Sequence, residues 1–109
     1  MPIGKLAAMA AHAASQSLIE FLSRDPQWIP RFKDLGKSGS RILLKAKNLS
    51  QLLRAHEAAM SADLPCALFE DSGHILLPHF DGSPIITSLG IGPCTRKQAH
   101  HITKRYNCL

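Results

Sequence analysis

The longest regular pattern of apolar and polar positions lies at the start of the chain. From residue 3 to about 23 small and apolar residues return at helical spacing, and Arg24-Asp25-Pro26 ends the run, because the residue before a proline is pushed out of helical geometry. Lys5, Met9, His12 and Gln16 fall within a sector of roughly 60° on this helix, whereas Leu6, Ala10, Ala13, Ser17 and Phe21 occupy another. One face is therefore small and packable. The other carries a lysine and a histidine beside a seam from which close packing excludes water. A short second helix is predicted over 27–35, then a loop over 36–40. The apolar run 41–46 is short and well bounded, which predicts a buried strand rather than a helix.

Asn48 is placed to cap the next helix, whose Leu49, Leu52, Leu53, Ala59 and Met60 repeat at intervals that bury one stripe, and Asp63-Leu64-Pro65 stops it. Residues 66–71 predict a second strand, closed by the turn Ser72-Gly73. The stretch 74–79 is apolar without a clear period. Asp81-Gly82 and Pro84 lead into a third strand over 85–91. Beyond Gly92-Pro93, Thr95 caps a basic helix that is predicted to run to about Tyr106. Strand, helix and strand with helices before and after indicate a layered α/β domain, yet no strand leads into the helix at residue 3.

Composition narrows the class. A chain of 109 residues that is 45% apolar and 19% charged suits one compact domain over 1–109 and excludes a disordered chain. No apolar run is long enough to span a membrane, and the alanine-rich start lacks the layout of a signal peptide, so a cytoplasmic location is expected. Cys66, Cys94 and Cys108 form no pairing framework and read as reduced thiols. The intervals among Cys94, His100, His101 and Cys108 match no common zinc site, so neither a metal nor a cofactor is expected. A formal charge of +5, with six histidines uncounted, favours a polyanionic partner, and nucleic acid is the commonest inside a cell.

Taken singly, the chemically capable residues are ordinary. A lysine in a first helical turn is usually solvated, an aspartate before Ser-Gly usually shapes a turn, and a threonine in a strand reflects β-propensity. Their order along the chain is more telling. Met1-Pro2-Ile3-Gly4-Lys5-Leu6-Ala7-Ala8 with His12-Ala13, Leu64-Pro65-Cys66 before a strand ending Asp71-Ser72-Gly73, Thr87 before Gly90-Ile91-Gly92-Pro93, and Ile102-Thr103-Lys104-Arg105-Tyr106 cover nearly the whole sequence. In this succession the chain resembles the type II peptidyl-tRNA hydrolases.

The resemblance implies a three-layer α/β/α fold with a small mixed sheet, of which three strands are visible here and four occur in the family. The family's first strand would lie ahead of Met1. It also implies an enzyme, often dimeric, that cleaves the ester joining a peptide to the 3′ end of tRNA without a cofactor. Lys5 and Asp71 fall on the family's essential lysine and aspartate, Thr87 on the second of its active-site threonines and His12 on its helix histidine. The residue types suit the chemistry: Asp71 to orient or deprotonate water, Lys5 to keep Asp71 ionised or to meet the oxyanion or a phosphate, Thr87 to hydrogen-bond water or substrate. Lys45, Arg96, Lys97, Lys104 and Arg105 are candidates, by charge, for the tRNA acceptor stem.

Three departures bear on activity. Met9 stands where the family has a glutamine, Ile75 where it has its first threonine, and the stretch 75–79 carries Leu76, Leu77 and Pro78 as an insert. Gln16 lies on the same helix face as Met9 but about 10 Å along the axis, too far to substitute. His74 and His79 are nearer in sequence and read as loop histidines. The alternative is a catalytically impaired homologue that keeps a tRNA-binding or protein-binding surface.

Overall fold

A computed structural model of the chain describes residues 3–71, 75–76, 80–81 and 85–108, with the backbone alone from 71 to 87. In chain order the elements are α1 (Ile3–Arg24), α2 (Trp28–Leu35), β1 (Leu44–Lys45), α3 (Leu49–Ser61), β2 (Cys66–Asp71), β3 (Ile75–Leu76), β4 (Phe80–Asp81), β5 (Ile85–Ile91), α4 (Arg96–Thr103) and β6 (Asn107–Cys108).

Local chemistry sets most of the boundaries. The Asn48 side chain accepts from the Gln51 N–H at 2.9 Å, while Gln51 Oε1 accepts from the Lys47 N–H at 2.9 Å, which satisfies two donors at the start of α3. Thr95 and Gln98 form a reciprocal capping box on α4. Gly36, at φ 69°, closes α2 in the left-handed conformation. After α1, Trp28 Nε1 donates to Asp25 Oδ2 at 3.0 Å, and Phe21, Trp28 and Phe32 pack as one aromatic group.

Helix α4 ends at Thr103 rather than near Tyr106. Arg105 and Tyr106 N–H groups donate three residues back, to Ile102 and Thr103 carbonyls, so the last turn tightens and the chain leaves in extended form as β6. The strand predicted over 41–46 contracts to Leu44–Lys45, and it is not buried: Leu44 is half-buried, Lys45 is exposed, and Ile42 and Leu43 before them are 66% and 53% exposed, because this segment lines a large open cavity rather than a packed core.

All three ladders among the described residues are two-stranded and antiparallel: β1 with β6, β2 with β5, and β3 with β4. The β2–β5 ladder is central. Ser88 and Gly90 of β5 meet α1, whereas Leu89 and Ile91 join a core of Ala55, Ala59, Leu64, Ala99 and Ile102 from α3, α4 and the intervening loop. Alanine at these helical positions lets the backbones approach closely. On α1 the buried stripe is Met9, Ala13 and Ser17, so the line that faces the ladder cuts between the two sectors read from the sequence and takes Met9 from one and Ala13 and Ser17 from the other. A cavity of about 1050 Å³ separates β1 from β5, with Ile42, Leu43, Leu52, Leu89 and Ile91 in its wall. No helix among the described residues is long and apolar enough to cross a membrane.

Candidate active site

Five ties lay α1 along the β2–β5 ladder in a fixed direction. Arg24 Nη1 donates to the Asp63 carbonyl at 3.1 Å and pairs with its carboxylate at 3.4 Å. The buried Ser17 hydroxyl donates to the Pro65 carbonyl at 3.3 Å and to that of Gly92. The Ala13 backbone rests on Gly90, where a Cβ would stand 2.7 Å from the Ala13 carbonyl carbon and 2.9 Å from Ser17 Cβ. The His12 ring stacks on Phe69, with centroids 4.7 Å apart. Ser88 Oγ donates to the Met9 carbonyl at 2.8 Å. Going back along α1 from Arg24 to Met9, the partners therefore advance along β2 from 63 to 69 and retreat along β5 from 92 to 88. The first turn of the helix points to the end of the ladder where β2 finishes and β5 begins.

Lys5 sits in that first turn and is half-buried. His12 is exposed except where Phe69 covers its ring. Asp71 is the last residue of β2, opposite Ile85 in the backbone register. Thr87 belongs to β5 and holds a special register position: pairing passes from Phe69 with Ser88 to Glu70 with Ile86, which leaves Thr87 as the extra residue of a β-bulge. Bulges of this kind re-aim side chains and are frequent beside active sites. The side chains of Asp71, Ile75 and Thr87, and all of His74 and His79, lie outside the described residues.

Met9, where the resemblance expects an amide, is only 8% exposed and is packed into the helix–sheet contact. Of the cationic candidates, Lys45, Arg96 and Lys104 line the large cavity beside β1 and β5, and Arg105 lines a smaller one between α3 and α4. Phe69 and Ser88 escaped the sequence reading, and Ser17 was read only as part of the packable face and not as a hydrogen-bonding tie. Phe69 had a signal, since it stands two residues before Asp71 on the same strand. Burial raises the Cys66 and Cys94 thiols above their ordinary value; at Cys66 nearby Arg24 opposes that shift and Glu20 adds to it. Among the described residues no three His, Cys, Asp or Glu side chains are grouped so as to hold a metal.

The family model described as "Peptidyl-tRNA hydrolase PTH2" matches residues 1–109. The chain belongs to the peptidyl-tRNA hydrolase PTH2 family. Relatives named peptidyl-tRNA hydrolase agree. That of Sulfolobus acidocaldarius is 30% identical over 105 residues, covering 92% of this chain and 82% of its own. That of Staphylothermus marinus is 32% identical over 103 residues, covering 94% and 80%. That of Methanopyrus kandleri is 35% identical over 100 residues, covering 92% and 80%. Within this member of the peptidyl-tRNA hydrolase family, the α1–ladder seam is thus built from Met9, Ala13 and Ser17 on the helix and Phe69, Ser88 and Gly90 on the strands.

Proposed function

We propose that this chain hydrolyses the ester between peptide and tRNA in peptidyl-tRNA, in the cytoplasm, with Lys5, His12, Asp71 and Thr87 as its working residues. Asp71 takes a proton from the attacking water, Lys5 keeps Asp71 ionised and meets the charge that develops on the ester carbonyl, and Thr87 holds the water or the substrate. His12, two turns further along α1 than Lys5, supports them. The tetrahedral intermediate collapses by releasing the 3′ oxygen of tRNA, which recovers the proton.

One observation carries this reading: the direction in which α1 is tied to the ladder. From Met9 back to Lys5 the helix rises about 6 Å, and from Ser88 back to Ile86 the strand covers about 7 Å, so the same helix face that meets Ser88 brings Lys5 level with the Ile86 region. Asp71 pairs with the neighbouring Ile85. The finer fold reading is a single three-layer α/β/α domain with a four-stranded mixed sheet, in which a further strand between β1 and β5 joins β1, β5 and β2 and the two-residue β6 borders β1 outside the four, and a homodimer as the assembly. That β1 and β5 both line the large cavity supports it.

The decisive assay follows release of N-acetyl-aminoacyl groups from tRNA. Wild-type turnover is expected, with Asp71→Asn and Lys5→Met each lowering kcat/KM at least 100-fold while the far-ultraviolet circular dichroism stays the same. A second reading, an impaired homologue that still binds tRNA, is favoured by the buried Met9, whose thioether offers no amide to substrate. Retained tRNA binding without ester cleavage by the wild type selects it.

A further inference from the structure

Between α3 and the turn after α4 a cavity of about 170 Å³ presents the side chains of Arg54, His101 and Arg105 around a floor of Ala55, Ala58 and Ile102. No carboxylate of the described residues lines it. Among the described residues neither guanidinium has an ion-pair or hydrogen-bond partner. Tyr106 donates its hydroxyl to the Gln51 carbonyl at 3.0 Å, tying the turn that carries Arg105 to the helix that carries Arg54. Two cationic side chains from separate elements thus line one concavity, and an anion there would meet both.

Size decides what kind of anion. Pockets that engulf a drug-sized ligand are usually about 300–1,000 Å³, so this one fits a single anionic group and not a whole nucleotide. Guanidinium forks grip the paired oxygens of phosphate in a planar, bidentate manner that a lysine cannot copy. The floor residues Ala55 and Ile102 pack with Leu89 and Ile91, further along β5 than Thr87 and on the residues that alternate with those meeting α1. That is about 7 to 13 Å along the strand from Thr87. We infer that Arg54 and Arg105, with His101 beside them, form a second anchor that takes one backbone phosphodiester of the tRNA substrate, remote from the scissile ester. The inference rests on the hydrolase reading above for the identity of the RNA.

The test compares wild type with Arg54→Gln/Arg105→Gln on two substrates, full-length N-acetyl-aminoacyl-tRNA and the same ester on the terminal trinucleotide CCA. The ratio of kcat/KM for the long over the short substrate is expected to fall at least fivefold in the variant, through KM. The slope of log Kd against log salt for deacylated tRNA is expected to become shallower by one to two contacts. An unaltered ratio with an unaltered salt slope overturns the anchor. So does an equal loss on both substrates, which marks a general defect. If the wild type cleaves neither substrate, the hydrolase reading fails by itself, and the salt slope for tRNA still decides for or against the anchor.

Discussion

The imidazole of His12 lies on the ring of Phe69, 4.7 Å between centroids and 15° from parallel. The contact joins the helix that carries Lys5 in its first turn to the strand that ends in Asp71, so it acts as a spacer between the two halves of the proposed site. Stacked aromatic pairs contribute about 0.5–1.5 kcal/mol beyond their buried area. Phe69→Leu keeps an apolar side chain and removes the stacking partner. A fall of about 1 kcal/mol in urea stability is expected, with kcat lowered about tenfold and KM within twofold. His12→Phe restores stacking without the imidazole, so it should recover the stability and not the rate. Recovery of both would show that His12 serves packing alone.

Gly90 is a sharper constraint. A methyl group there meets the Ala13 backbone and the Ser17 side chain at once, and backbone cannot rotate away as a side chain tip would. Overpacking a core ordinarily costs about 1–3 kcal/mol, and a collision with main chain belongs at or above the upper end. Gly90→Ala should therefore lower stability by about 3 kcal/mol or more in urea unfolding. Gly4→Ala is the control: nothing stands within 4 Å of a Cβ there, so stability should hold or rise slightly.

These two contacts also mark how far the sequence could be read. Periodicity and stop signals located α1, α3, β2 and β5 nearly to the residue, because a long apolar repeat, Asn48 as a cap and Pro26 and Pro65 as breaks act locally. Pairing is not local. The contraction of the 41–46 strand, the two-residue β6 and the early end of α4 all depend on which distant edge β1 meets, and no pattern within 41–46 records that. The Thr87 bulge was equally hidden, since it exists only as a mismatch between β2 and β5. The candidate site residues were proposed from their order along the chain, while the stacking, the Ser17 bridge and the glycine contact that set the helix direction came only with the fold.

The half-buried thiols of Cys66 and Cys94 give a pH dependence. Cys66 and Cys94 have raised values, chiefly because burial disfavours the thiolate, so the folded chain holds their protons after the unfolded chain has begun to lose them. The unfolded state then binds fewer protons and stability falls as pH rises. The contribution is full below the ordinary thiol range and fades through the raised folded values. Urea midpoints should decline above about pH 8.5, and the decline should flatten in Cys66→Ser/Cys94→Ser. Iodoacetamide at pH 8 should label exposed Cys108 before the other two. Uniform labelling of all three would contradict the burial argument.

The space between β1 and β5 yields the last prediction. Among the described residues each strand has a hydrogen-bonded neighbour on one side, β6 and β2 respectively, and both line the same largely apolar cavity. Ile42 and Leu43 remain exposed beside it. One extended strand laid there would satisfy two rows of backbone groups and cover that apolar surface together, whereas an added helix could cover the surface but pair with neither edge. A seven-residue segment of alternating valine and threonine, joined ahead of Met1 by a short Gly-Ser linker, should therefore raise the unfolding midpoint in urea. It should also slow amide exchange at Leu44 and Lys45 and along 88–91. Slower exchange on both strands requires pairing on both sides of the insert. Protection of one strand alone would mean that the cavity does not join the two ladders into a single sheet, and the four-stranded reading would have to be given up.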